Sequence, residues 1–206
     1  MKLIKSLTII VLAVLLTQCY PEGLVYVDEA DIVYTNYDPE YDFTAEQTYA
    51  LPDKIMKIDD KLVQGKDTTF IKDVYATVIL ERLRKNFKEY GWTETTIDNN
   101  PDVLIAPAVY ELTTYSYDWW PYYDWWYDPY YPGGGWYYPY PVVSSYSTGT
   151  LVVNMVDPTD VSANDRPRVA WVLAINGLLQ GSVSNFNARV EKGIDQSFKQ
   201  STYLTK

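Results

Sequence analysis

The order of strand-like and helix-like segments predicts an α+β fold: an antiparallel or mixed sheet of about five strands with two helices packed on one face, plus a long hairpin-like aromatic loop. Short β-branched and aromatic runs recur along the chain. One i, i+3, i+4 apolar stripe lies early and a second lies near the end. Between the strands, residues 115–141 hold so much Pro and Gly that neither helix nor central strand is available there.

The first strand is Ile32-Val33-Tyr34-Thr35, stopped by Pro39. Gln47 to Leu51 forms the second, closed by Pro52-Asp53, and the polar residues 53–68, which include Gly65, are expected to be loop. Residues 70–90 form the first helix, with Ile71, Val74, Tyr75, Val78, Ile79, Leu83, Phe87 and Tyr90 on one stripe. Thr69 is placed to cap its start, and Gly91 stands where a left-handed residue ends a helix. Arg82, Arg84, Lys85 and Lys88 lie near its C-terminal end, as the helix dipole favours, and are expected to form a solvated face rather than a binding patch.

Val103 to Tyr115, Leu151 to Val156 and Val169 to Ile175 are further strands, the last with Val169, Trp171, Leu173 and Ile175 alternating onto one face. Asp157-Pro158 to Arg166-Pro167 is turn chemistry between two of them. A second helix over residues 185–200 carries Phe186, Val190, Ile194 and Phe198 at four-residue spacing.

Composition narrows the chemistry. The 206 residues include one Cys and no His, which excludes a Ser-His-Asp triad, a Cys-His pair, a histidine-bound zinc and an intramolecular disulfide. A net charge of −10 argues against nucleic acid as a partner, because that binding draws on Lys and Arg. At 47% apolar and 21% charged, the chain has the means to build a core.

The N-terminus has the layout of an export signal. Lys2 and Lys5 precede the apolar run Leu7 to Leu16, about half the roughly 20 residues a spanning helix needs. Leu16-Thr17-Gln18-Cys19 then resembles the lipobox of bacterial lipoproteins, with Gln18 where a small residue is usual. The resemblance implies a signal peptide over 1–18, acylation including palmitate at Cys19, a lipidated tether over 19–30 and one domain over 31–206. Two or more acyl chains, at about 0.8 kcal/mol per buried methylene, hold a protein on a membrane essentially permanently. Loss of residues 1–18 leaves 15 basic and 27 acidic side chains, so anionic lipid would repel the protein and the acyl chains must do the anchoring. Tyr20 stands after the cysteine rather than Asp. By resemblance to proteobacterial sorting this implies the outer membrane, with the periplasmic face expected rather than the cell surface.

Residues 115–141 contain ten Tyr, five Trp, five Pro and three Gly in 27 positions, with a short quasi-repeat in Tyr117-Asp118-Trp119-Trp120 and Tyr123-Asp124-Trp125-Trp126. Three readings stay open: a surface that stacks on a glycan or meets an envelope protein, an element that sits at the membrane–water interface, and an accessory core packed over the sheet. The candidate contact residues are Trp119, Trp120, Trp125, Trp126 and Trp136, with Asp118 and Asp124 as hydrogen-bond acceptors.

No catalytic constellation stands out, so the chain is expected not to be an enzyme and to need no cofactor or metal. The alternative is a carbohydrate-active hydrolase using paired carboxylates, drawn from Asp38, Glu40, Asp42, Asp59, Asp60, Asp118, Asp124 and Asp128. An envelope assembly factor with a protein partner is a further alternative. Gly133-Gly134-Gly135 lacks the Lys-Ser/Thr that follows in a phosphate loop.

Asp38 to Asp42 with Phe43, then Thr48-Tyr49-Ala50, Pro101-Asp102-Val103-Leu104-Ile105, Gly149-Thr150-Leu151 through Asp157, and Val169-Ala170-Trp171 occur in an order that resembles the bacterial lipoproteins of domain-of-unknown-function family 4136. The likeness covers roughly residues 31–204, and residues 158–167 lengthen a connection that is usually tight. It implies an α+β envelope lipoprotein and brings no catalytic or ligand residue with it.

Overall fold

The computed structural model describes residues 33–45, 47–59, 69–111, 137, 139, 149–161, 166–179 and 183–206. Residues 31–206 constitute one compact unit. Its strands are β1 (Val33–Tyr37), β2 (Thr48–Ala50), β3 (Met56–Ile58), β4 (Thr69–Phe70), β5 (Thr93–Thr95), β6 (Val103–Tyr110), β7 (Thr150–Val161) and β8 (Pro167–Ile175). Helix α1 (Asp73–Glu89) lies between β4 and β5, and α2 (Val183–Gln200) follows β8. The α+β class holds, with a mixed sheet of eight strands in place of about five.

Strands run β1-β8-β7-β6-β2-β5 across the sheet. β1, β8, β7 and β6 are antiparallel neighbours. β2 and β3 both run parallel to β6, β2 against Val103 and Leu104 and β3 against Ala108 to Tyr110. The extra strand β3 falls where the polar stretch 53–68 predicted loop, and its partner β4 takes Thr69 and Phe70, where the cap and start of the first helix were expected. Met56 and Ile58 are buried there, and β6 supplies the ladder that a three-residue run cannot sustain alone.

The break between β2 and β3 also explains a proline inside the sheet. Glu111 donates its N–H to Ile58 at 2.9 Å, so by strand alternation the nitrogen of Pro107 points to that same edge of β6. It falls in the gap between the two short strands, where no ladder donor is required.

Helix α1 begins later than predicted. Thr69 belongs to β4, opposite Lys57, and Lys72 occupies the cap position without a side-chain bond, with Asp73 in the first turn. The core takes Ala76, Ile79, Leu80, Leu83 and Phe87, while Val74 of the predicted stripe is 63% exposed. The ending is as expected. Gly91 has φ +89°, its N–H reaches Lys88 O at 3.1 Å, and the Trp92 N–H reaches Phe87 O at 3.0 Å, which together form a Schellman closure.

Helix α2 puts Phe186, Val190, Ile194 and Phe198 into the core as its spacing predicts. The layer between helices and sheet centres on Phe87, whose ring meets Phe198 edge-on at 4.9 Å, Tyr49 at 4.8 Å and Trp92 at 6.0 Å. Buried Trp171 donates its indole N–H to Ser201 at 2.9 Å.

The alternation expected along β8 holds for Trp171, Leu173 and Ile175 but not for Val169. Met155 pairs with Trp171 while Val156 pairs with Val169, so Ala170 is an extra residue in the ladder. That bulge reverses the phase and turns Val169 to the opposite face, with Val172 and Ala174. The predicted turn over 157–167 is shorter in fact, because β7 continues to Val161 and β8 starts at Pro167. Turn chemistry remains in Asp157, whose Oδ1 accepts from the N–H groups of Thr159 and Asp160 and from the Thr159 hydroxyl.

Asp102 fastens β2 to the start of β6. It accepts the N–H groups of Gln47 and Thr48 at 2.9 and 2.7 Å and the Thr48 hydroxyl at 2.7 Å. Burial raises its pKa, but these bonds outweigh burial and hold it below the usual carboxylate value. A depressed carboxylate stabilises the fold above its unfolded pKa of about 3.9, and the effect is lost as pH falls through the lower folded value. Asp102→Ala therefore lowers unfolding stability by about 1–2 kcal/mol at pH 7, and the gap to the parent narrows in urea titrations taken below about pH 4. Gly91→Ala meets two obstacles, the positive φ and Lys206 Cβ only 2.8 Å from the new methyl. It should cost about 1–2 kcal/mol or more by the same titration at pH 7.

Candidate functional site

Two hollows of about 430 and 530 Å³ adjoin at the edge of the sheet, where α1 passes over β2 and β5. Each is within the range of small-ligand sites. Arg84 and Glu94 belong to both walls, Tyr49 and Trp92 line the first hollow, and Lys54 and Phe70 line the second. The sequence dictates this placement. Tyr49 lies in the parallel pair β2–β5 opposite Glu94, and Arg84 sits on the half-buried flank of α1 facing that pair.

Arg84 Nε donates to Glu94 at 2.9 Å, and its other end lies 3.7 Å from Asp53. The Tyr49 hydroxyl donates to Glu94 Oε2 at 3.4 Å. Burial first, and the Glu94 charge second, push the Tyr49 phenol well above its usual pKa, so it remains a donor at every physiological pH. Lys85 and Lys88 are exposed on the rim, and Lys54 Nζ sits 5.2 Å from the Phe70 ring centre. The result is an open cationic rim over aromatic walls. It suits reversible contact through charge and ring faces and sets no nucleophile against a base.

The basic cluster of α1 is thus not simply a solvated face. Arg82 is a tie between the helices: its Nε donates to Asp195 at 2.7 Å, its Nη1 to Glu191 at 3.0 Å, and its Nη2 also pairs with Asp195. Asn86 adds a bond to Asp195 at 3.0 Å. Burial of Asp195 acts to raise its pKa, but the bonds from Arg82 and Asn86 dominate and lower it.

A second polar group sits at the opposite edge, where β8 begins. Arg168 grips the buried Asp38 with Nε at 2.6 Å and with Nη2, and bonds Asp160 through Nη1 at 2.7 Å. The Tyr41 ring lies 5.8 Å from the guanidinium, and its hydroxyl donates to Asp157 at 3.3 Å. Sequence reasoning missed this group because Arg168 stands between the stretch read as turn and the strand read from Val169, and lies 130 residues from Asp38. Only the buried end of a strand gives the pair its meaning.

The sequence-derived sites fall mostly elsewhere. Cys19, Trp119, Trp120, Trp125, Trp126, Trp136, Asp118 and Asp124 lie outside the described residues, as do Asp60 and Asp128. Of the carboxylates weighed for hydrolysis, Asp38 is committed to Arg168, Asp42 caps Thr44 at 3.0 Å, and Asp59 pairs with Lys57 at 3.2 Å. From the aromatic segment the structure describes Tyr137 and Pro139. Tyr137 is bridged to Arg168: its N–H donates to Pro167 O and its carbonyl accepts from Val169 N–H, both at 2.8 Å. Among the described residues no group of three or more His, Cys, Asp or Glu is placed to hold a metal.

A two-helix, mixed-sheet α+β domain with a rim of charge at each edge is therefore the class to which the chain belongs. More narrowly, the chain is a member of the family described as Domain of unknown function (DUF4136), whose profile matches residues 33–201. It is similar to a DUF4136 family protein of known crystal structure from Bacteroides thetaiotaomicron VPI-5482, with 32% identity and a TM-score of 0.68 over 85% of this chain and 97% of that one. A PDZ domain protein from Parabacteroides distasonis ATCC 8503 is a more distant likeness, at 18% identity and a TM-score of 0.44 over 85% of this chain and 37% of that one. No curated protein matches the chain.

The buried pair offers a direct check. Arg168→Ala leaves Asp38, 2% exposed, without its guanidinium, and should cost about 3–5 kcal/mol in equilibrium denaturation. Arg168→Lys should recover only part of this, because an ammonium cannot reproduce the fork that holds Asp38 and Asp160 together.

Proposed function

We propose that the protein is a lipid-anchored envelope lipoprotein that acts as a non-catalytic contact module. Cys19 carries the lipid, the outer membrane holds it, and the domain faces the periplasm. The Trp/Tyr-rich segment is the contact surface, and glycan is the ligand class its chemistry fits. Ring faces of Trp119, Trp120, Trp125, Trp126 and Trp136 stack on sugar C–H faces, while Asp118 and Asp124 accept from hydroxyls.

One observation supports this reading above the others. The exposed large apolar side chains among the described residues are Tyr37, Val74, Tyr137 and Val161, and three of these four gather where β8 begins. Tyr37 pairs opposite Trp171, Val161 opposite Pro167, and Tyr137 beside Arg168. Tyr137 follows Trp136 directly, so the aromatic run is moored by backbone hydrogen bonds to a rigid strand next to an exposed apolar rim.

The test uses the full chain in detergent, incubated with insoluble envelope glycan and sedimented. Replacing the five tryptophans with Ala should abolish co-sedimentation while the melting transition stays within a few degrees of the parent. A large loss of stability instead, or undiminished binding, would count against the contact surface. Palmitate labelling of the parent and its loss in Cys19→Ser check the anchor separately.

A further inference from the structure

Arg82 and Arg168 each commit Nε, Nη1 and Nη2 to carboxylates. Arg84 is held differently. Its Nε is anchored to Glu94 at 2.9 Å, but its Nη2 lies 3.7 Å from Asp53 Oδ1, beyond hydrogen-bond length, and the Asp53 side chain is fully exposed. The Nε bond fixes the plane of the guanidinium, while the outer edge keeps its Nη donors for something else. Among the described residues nothing takes them.

That edge stands where the two hollows meet, since Arg84 belongs to both walls. Lys85 and Lys88 line the first hollow and Lys54 the second, so four cations face two carboxylates, Asp53 and Glu94. The local balance is positive in a chain whose net charge is −10, which selects an anionic ligand. Lys85 is shared with Glu89 at 3.8 Å, whereas exposed Lys88 has no carboxylate within ion-pair distance among the described residues.

The lining also chooses the kind of anion. A carboxylate matches the Nη edge of a guanidinium with two parallel bonds. A phosphate dianion would meet about twice the repulsion from Glu94 and Asp53 that a monoanion meets. The other groups are those that hold a polyhydroxylated ring. Glu94 is an acceptor for hydroxyls, Thr95 and Thr96 contribute hydroxyls of their own, and Phe70 supplies a half-buried ring face. Two adjoining hollows of about 430 and 530 Å³, with the guanidinium at their junction, suit a short chain of such rings rather than one compact ion.

We propose that the paired hollows beside Arg84 bind a carboxylated sugar of the uronic acid kind, as a short oligosaccharide. Its carboxylate takes the Nη edge of Arg84 with Lys88 as the second cation, its hydroxyls donate to Glu94, and a C–H face lies on Phe70. The site uses no residue of the Trp-bearing segment, so the two contact readings stand or fall separately.

The test is calorimetric titration of the full chain in detergent with a galacturonic acid trimer, with its neutral methyl ester, and with a triglutamate peptide. The trimer should bind saturably with a Kd below about 1 mM, and the ester and the peptide at least about tenfold more weakly. Arg84→Gln should weaken the trimer by about tenfold or more. Asp53→Asn should do the reverse. It removes a like charge from a fully exposed position, so the fold is untouched, and affinity should rise about two- to threefold at low salt. Replacing the five tryptophans with Ala should leave trimer binding unchanged. No saturable binding below about 1 mM, an ester that binds as tightly as the acid, or a folded Arg84→Gln protein with parental affinity each overturns the proposal. So does loss of binding in the tryptophan variant, or a peptide that binds more tightly than the trimer, which would make the ligand an acidic protein segment. If Arg84→Gln does not fold, Asp53→Asn decides: unchanged or lower affinity for the trimer overturns it.

Discussion

Burial of the central strands on both faces is the constraint on which this structure depends. Every residue of β6, the first nine of β7 and all but one of β8 are buried. A sheet of that kind cannot stand with one layer of helices, because half of its apolar surface would face water. Ala and Val dominate the second face, and aromatic rings cluster on the first around Phe87. Helices fill the side where Phe and Trp project, and the opposite side is built from short side chains with Tyr34 and Ile97 packed against it.

The edges are governed by different physics. At one edge Asp102 supplies acceptors to the backbone donors at the start of β2, a strand too short to hold itself. At the other, Asp38 and Arg168 sit where β1 ends and β8 begins, and the same stretch of β8 gives its backbone groups to Tyr137. A buried ion pair contributes little net stability compared with a well-packed apolar pair, but it is costly to misplace. At this position it fixes which residue of the 38–43 turn meets β8, and so where β1 stops. Arg82 does the equivalent work between the helices, fixing their register through Asp195 and Asn86.

Much of this was legible in the sequence, and the failures share a cause. Both helices, the Gly91 closure and the three long strands follow from periodicity and punctuation, which are local signals. Strand β3 was not visible because its stability comes from β6, some fifty residues away. The bulge at Ala170 was invisible because one extra residue in a continuous apolar run changes no pattern, only its phase. A signal was present but misread: VLIAPAVY and VAWVLAI are unbroken apolar runs rather than alternating ones, and such runs mark strands covered on both sides. Read that way, burial of both faces was predictable. The cleft beside Arg84 had no sequence signature, since its lining residues span Tyr49 to Ile97 and meet only through pairing of β2 with β5.

The aromatic segment is where these levels meet. Composition alone left it suspended between exposed surface and accessory core, because a Tyr ring satisfies either environment. One residue of it has a fixed place. Tyr137 divides the segment into a Trp-bearing part before it and a Tyr/Pro/Val part after it, and its backbone bonds to β8 pin the junction. A backbone bridge holds its residue whatever ring that residue carries, so the free groups of β8, and not aromatic chemistry, place Tyr137, whose side chain stays exposed beside Arg168.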